Sequence, residues 1–227
     1  MGSSTSQGSR LNRRNRLVVG LALIAAGLTI PVVYLASQSA NDADEAAKQQ
    51  AAALSVQLED PNVVGSDSGT ADMDSSSEIP QPRAIATLRI ARFGSDWTRV
   101  VYEGTSVNNV LTPYGVGHYT KTGMPGQVGN FALAAHRAGS GGPFRNIDKL
   151  VDGDLAVVET ASTRFTYRFL QSKVVEPSAI GVIAPDPMGL TAQRSSDALL
   201  TLTSCTPIHV NTQRFVAWFE LVSAEAL

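Results

Sequence analysis

Cys205 is the only cysteine in the 227-residue chain and lies in the strand-like run TLTSCTP (201–207). A lone thiol cannot close an internal disulfide. It is an inert buried side chain, one half of an intermolecular bridge, or a nucleophile. A nucleophilic cysteine reacts as the thiolate and needs a neighbour to hold the proton. The chain offers three histidines, His118, His136 and His209. His136 ends the apolar run NFALAAH (130–136), and glycines follow at Gly139, Gly141 and Gly142. Arg214 opens RFVAWFELV (214–222), where strand geometry puts it on one face with Val216 and Trp218. Its guanidinium is a rigid fork of donors suited to developing negative charge. Taken singly, each residue also has a structural reading: a small buried hydrophobe, a strand-end histidine, a surface arginine. Jointly they stand at the ends of three strand-like runs, which a β-barrel would bring to one mouth.

The elements that must position them follow from the pattern between residues 83 and 227. AIATLRIARF (84–93), TRVVYEG (98–104), NFALAAH (130–136), LAVVET (155–160), RFTYRFL (164–170), KVVEP (173–177), ALLTLTSC (198–205) and RFVAWFELV (214–222) read as short strands. Turn residues separate them, and 155–160 with 164–170 read as a hairpin. Many short strands punctuated by Gly, Pro and Asp predict an all-β barrel or sandwich.

Ahead of this domain the composition changes twice. Leu17 to Ala36 is free of charged residues and long enough to span a hydrocarbon core of about 30 Å at about 1.5 Å per residue. Arg10, Arg13, Arg14 and Arg16 precede it, which sets a cytoplasmic N-terminus and an external domain. A cleaved signal peptide would have a shorter apolar core and a better site than SQSA (37–40). MGSSTS fits the loose myristoylation pattern, but a spanning helix makes a lipid redundant. Residues 37–82 are rich in Ser, Ala, Asp and Gln and read as a solvated, disordered linker, with helix-forming composition over about 43–58. The expected organisation is a basic tail (1–16), a single membrane anchor (17–36), a linker (37–82) and one catalytic domain (83–227). No second apolar span follows. A net charge of −2 gives no ground for nucleic-acid binding, and no zinc-spaced cluster, Walker A loop or dinucleotide fingerprint is present.

The order and surroundings of the three residues resemble the sortases, membrane-anchored cysteine transpeptidases of Gram-positive bacteria. The matching stretches are YEGTSVNNVLTPYGVGHYTKTGMPGQVGNFALAAHRAGSGGPFRNIDKLVDGD (102–154), TLTSCTP (201–207) and Arg214 in QRFVAWFEL. GHY (117–119) and the proline at Pro207 are most similar to class E, the housekeeping type of actinobacteria. Two positions depart from the family pattern: Ala135 stands where Gly usually precedes the histidine, and Ser204 where Thr is common before the cysteine. Both are small and remove no reacting atom.

The resemblance implies a closed eight-stranded β-barrel and no cofactor. It implies that Cys205 attacks the Thr–Gly carbonyl of a C-terminal sorting signal, of Leu-Ala-x-Thr-Gly or Leu-Pro-x-Thr-Gly type, to give a thioacyl-enzyme. His136 would protonate the leaving amine and deprotonate the incoming one. Arg214 would steady the oxyanion or hold the signal. Tyr119, Thr203 and Ser204 would line the substrate groove, with Tyr119 tied to signal choice. The implied partners are sorting-signal-bearing secreted proteins, a lipid-linked peptidoglycan precursor that supplies the acceptor amine, and the membrane. His118 is expected to be structural or at the groove rim, and His209 to lie in a Cys–Arg loop. The absence of an acidic cluster in the matching region gives no expectation of calcium. The competing readings are a pilin-polymerising relative and a tethered, non-catalytic peptide-binding barrel. L,D-transpeptidases and papain-like hydrolases are disfavoured, by the lack of a Ser-His-Gly-Cys cluster and by the His-before-Cys order.

Overall fold

The computed structural model describes residues 36–37, 39–53 and 82–227. The tail expected over 1–16, the anchor expected over 17–36 except Ala36, and linker residues 54–81 lie outside the described residues. Among the described residues no helix is long and apolar enough to cross a membrane. Two units are separated by contact, Met1–Asn41 and Asp42–Leu227. The second carries the barrel.

Eight strands form it: β1 (Ala84–Ile90), β2 (Thr98–Glu103), β3 (Val116–His118), β4 (Gly129–Ala135), β5 (Leu155–Glu159), β6 (Thr163–Val175), β7 (Ala198–Thr206) and β8 (Gln213–Ala226). They close in the order β1-β2-β3-β4-β7-β8-β6-β5, with β5 returning to β1. β2 and β3 are parallel, as are β4 and β7; the other neighbours are antiparallel. The expected closed all-β barrel is therefore present, and closure removes the exposed edges that would pair with other chains.

The alternation of side chains sets inside from outside. On β7, Leu200 and Leu202 enter the main core with Phe131, Leu133 and Ala135 of β4 and Ala217 and Phe219 of β8. The intervening residues, Thr201, Thr203 and Cys205, face outward. On β8, Val216 and Trp218 face outward too, under a separate apolar cap that includes Val182. The indole of Trp218 donates to the Val182 carbonyl at 3.0 Å.

Three details differ from the sequence reading. β3 has no predicted counterpart: it is three residues long in a glycine-containing stretch, too short for alternation to register. Gly117 is required there by close approach, since a Cβ would stand 2.2 Å from the Gly104 carbonyl oxygen. The runs 164–170 and 173–177 are one strand, β6, carried across Leu170 by a bulge between Phe169 and Gln171. Finally, helix α1 (39–53) occupies part of the segment read as linker, and its residues 42–53 are not solvated throughout.

The docking of 42–53 uses amides more than an apolar stripe. Gln49 is buried, donates to the Ser140 carbonyl at 3.0 Å and accepts from Arg99 Nε at 3.2 Å. Gln50 accepts from Arg99 Nη1 at 2.8 Å and from the Thr98 amide at 2.9 Å. Asp42 pairs with Arg145 at 2.5 Å. Burial lowers the Arg99 pKa to about 10.

Candidate active site

β4, β7 and β8 lie side by side, and their register brings the three candidate residues together. Cys205 and Arg214 are directly opposed across the antiparallel β7–β8 ladder. Opposed residues on one face have Cβ atoms about 4.5–5.5 Å apart. The parallel β4–β7 ladder pairs Ala134 with Thr203. Carried on by two residues, the same register sets His136 beside Cys205. The Ser204 hydroxyl, donating to the Ala135 carbonyl at 2.8 Å, holds that continuation after the backbone pairs end. Thiol, imidazole and guanidinium thus occupy one level of three adjacent strands. They lie together on the outer face of the barrel wall near its end. The alternation of Leu200 and Leu202 inward against Thr203 and Cys205 outward is the reason.

An open cleft of about 210 Å³ runs over this surface. Cys205, His136 and Arg214 line it, with Tyr119, Thr203 and Ser204, the apolar residues Val107, Leu111 and Ala134, and Ala135, whose side chain is in the main core. All six residues singled out from the sequence therefore border one cleft. Tyr119 Oη lies 3.0 Å from Thr203 Oγ1, and Thr203 Oγ1 lies 3.1 Å from the Leu133 carbonyl oxygen. Ser204 is buried and contributes mainly through its bond to Ala135.

Cys205 is half-buried and free of any disulfide. Arg214 is tied down by Nη1, which donates to the Asn211 carbonyl at 3.2 Å and to the Gln213 carbonyl at 2.9 Å. Asn211 can offer its carbonyl there because it adopts a left-handed conformation, φ 62°, which Asn tolerates. Among the described residues, Arg214 Nε and Nη2 are not engaged in the fold. His136 Nε2 lies 3.3 Å from Thr112 Oγ1. Thr112 opens a short helical segment, Thr112–Tyr114, that follows the turn Val107–Leu111 over the cleft. No sequence signal marked Thr112; LTPY reads only as a proline turn.

His118 is structural. It is buried, with Nδ1 3.1 Å from Glu103 Oε1 and Nε2 3.1 Å from both the Gly123 carbonyl and Thr122 Oγ1. It pins β3 to the loop that carries Tyr119. His209 is exposed between β7 and β8.

Burial lowers the His136 pKa from its ordinary 6.5. Folding therefore favours the neutral ring. The stability this contributes is present above about pH 6.5, the unfolded value, and is lost as pH falls through the lower folded value. Acidification through that window should lower the thermal midpoint of the chain more than that of a His136→Gln variant. Parallel midpoint curves for the two would contradict this account of the ring.

The Sortase domain family model matches residues 88–222. Over 219 residues the chain is 32% identical to Sortase SrtE2 of Streptomyces coelicolor, covering 92% of this chain and 82% of that protein. The structure is similar to sortase E from Streptomyces avermitilis, with TM-score 0.57 and 36% identity, covering 63% of this chain and 90% of the other. It is also similar to Sortase E1 from Streptomyces coelicolor solved with a tripeptide in the active site, with TM-score 0.59, 36% identity and the same two coverages, 63% and 90%.

Proposed function

The chain belongs to the sortase family, as a class E-like cysteine transpeptidase, and from that premise we propose that it joins exported proteins carrying a Leu-Ala-x-Thr-Gly type signal to a cell-wall precursor amine. The observation that carries this reading is the level alignment of His136, Cys205 and Arg214 on three adjacent strands, beside one cleft. His136 takes the proton of the Cys205 thiol, and the resulting thiolate attacks the carbonyl carbon of the Thr–Gly bond. The C–N bond breaks, His136 gives its proton to the departing glycine amine, and a thioester remains on Sγ. The acceptor amine then attacks the thioester, His136 takes its proton, and the thiolate leaves. Arg214 donates to the oxyanion of each tetrahedral intermediate.

The apolar floor of Val107, Leu111 and Ala134 suits the small and branched side chains of the signal. The Tyr119–Thr203 hydroxyl pair supplies polar groups at the same wall, which supports a role in choosing between Ala and Pro at the second signal position. Thr112 would orient the His136 ring. Leu17–Ala36, preceded by four arginines, supports a single-pass anchor with the catalytic domain outside the cell. In that topology the cleft faces lipid-linked precursors and newly exported substrates.

The test is to incubate the purified chain with a Leu-Ala-x-Thr-Gly peptide and follow intact protein mass, with and without an added amine. An acyl adduct on Cys205 that the amine discharges into a ligated product is the expected result. An adduct only with Leu-Pro-x-Thr-Gly would keep the chemistry and overturn the signal. An adduct with neither would overturn the proposed reaction at this cleft.

A further inference from the structure

Each of the three aligned residues is followed by one that strand alternation turns to the opposite side of the wall. His136 is followed by Arg137, Cys205 by Thr206 and Arg214 by Phe215. These three successors meet. Arg137 is buried, 5% exposed, and its Nη1 donates to Thr206 Oγ1 at 2.7 Å. Its guanidinium stands over the Phe215 ring, 5.7 Å from the centroid. Its Nη2 pairs with Asp148 at 2.6 Å, in the turn Ile147–Lys149. Phe215 in turn packs on the barrel core. A second layer thus lies directly beneath the candidate site, with one guanidinium touching the neighbour of every residue in it.

This layer begins where the backbone ladder stops. The last β4–β7 backbone pair is Ala134 with Thr203. Beyond it β4 and β7 share no backbone pair, because parallel ladders hold only as far as their bonds extend. Cys205 and Thr206 stay paired with Arg214 and Gln213 of β8, and the His136 carbonyl accepts from the Phe144 amide at 3.0 Å. What backbone pairing leaves unfixed is the spacing of the β4 end from β7. Two side-chain bonds replace the missing pairs: Ser204 to the Ala135 carbonyl, then Arg137 to Thr206. The second lies one residue past His136 and Cys205 in the same register. Arg137 Nε is buried without a hydrogen-bond partner among the described residues. A buried cation with an unmet donor is a costly way to close a barrel. Such violations of local rules concentrate at functional sites.

We propose that Arg137 and Thr206 are positioning residues that fix the spacing of His136 and Cys205 from below, with Asp148 aiming the guanidinium. The proposal rests on the transpeptidase reading above. Neither residue touches substrate; they act by holding two strand ends at reacting distance, where an ångström of drift lowers the rate of the chemical step more than it lowers binding.

The experiment uses the full chain, a Leu-Ala-x-Thr-Gly peptide and an added amine, and compares Thr206→Val, Thr206→Ser and Arg137→Lys. Val keeps the shape of Thr and removes the acceptor; Ser keeps the acceptor. Thr206→Val should lower kcat about tenfold or more with KM within about twofold, and should slow alkylation of Cys205 by iodoacetamide. Thr206→Ser should restore both. Arg137→Lys keeps the charge but cannot reach Thr206 and Asp148 with one planar fork, so it should resemble Thr206→Val. Wild-type kcat in Thr206→Val, or equal losses in the Val and Ser variants, would overturn the proposal while leaving the transpeptidase reading intact. Failure of the wild-type chain to acylate would overturn the reading and the proposal with it. Cys205 alkylation that is unchanged in both Thr206→Val and Arg137→Lys would overturn the proposal alone.

Discussion

A Cys205→Ala chain is expected to form no acyl adduct and to lose transpeptidation by at least about 10³-fold, a loss of at least about 4 kcal/mol of transition-state stabilisation. The expectation is large because no second thiol exists in the chain to substitute for it. Serine is a weaker replacement than its shape suggests, since a hydroxyl is far less acidic than a thiol and burial makes His136 a weaker base. Cys205→Ser should therefore fall with Cys205→Ala. Stability should barely respond. Cys205 is half-buried on the outer face of β7, outside the main core, so the substitution should cost about 0.5–1 kcal/mol or less. The measurement is amine-dependent product formation together with the thermal midpoint. A near-native midpoint with no product locates the effect in the chemistry. Product formation by the alanine variant would refute nucleophilic catalysis by this thiol.

How much of this arrangement could be read beforehand depends on the kind of signal each part leaves. β4, β7 and β8 were legible because each buries one face, and Phe131, Leu133, Leu200, Leu202, Ala217 and Phe219 write that burial as alternation. That their ends could meet was legible, but the register that sets them at one level was not, because pairing between strands distant in sequence leaves no local trace. β3 escaped because three residues cannot display a period. The bulge in β6 split one strand into two apparent ones by breaking its alternation. Helix α1 was half visible. Its composition favours a helix, but Gln49 and Gln50 engage Arg99 and backbone groups of the barrel, and an amide on a docking face looks like an amide on a solvated one.

The same distinction runs through the candidate site. Cys205, His136 and Arg214 stood out by residue type and by their places at strand ends. Thr112 did not, and Arg137 stood out only as the residue after the histidine in the family pattern, with no role of its own, although one lies against the His136 ring and the other beneath the strand ends. A threonine in a proline turn and an arginine after a histidine have many ordinary uses. Only the fold shows that both converge on the same imidazole-bearing strand end.

Arg214 carries the second large effect expected from the proposed mechanism, and its geometry favours one of the two roles proposed for it. Nη1 is held by the Asn211 and Gln213 carbonyls, so the guanidinium is oriented before any substrate arrives. It extends from a position directly opposite Cys205. In the proposed mechanism a donor fixed there would meet the carbonyl oxygen of the group attacked by Sγ, and its bond would strengthen as that oxygen gains charge. Removing a donor of this kind costs about 10²–10³ in kcat, or about 2.7–4 kcal/mol. Arg214→Ala should therefore lower kcat by that factor with KM little changed. Arg214→Lys should recover only part of it, since an ammonium keeps the charge but cannot bond the turn carbonyls and the oxyanion with one rigid plane. Were Arg214 chiefly a clamp on the bound signal, the same substitutions would raise KM and leave kcat near the wild-type value, because binding that is equal in ground and transition states does not speed the step. Steady-state constants for Arg214→Ala and Arg214→Lys with one peptide and a saturating amine separate the two. The fixed orientation of the guanidinium, set by the fold and not by the ligand, is the reason to expect the loss in kcat.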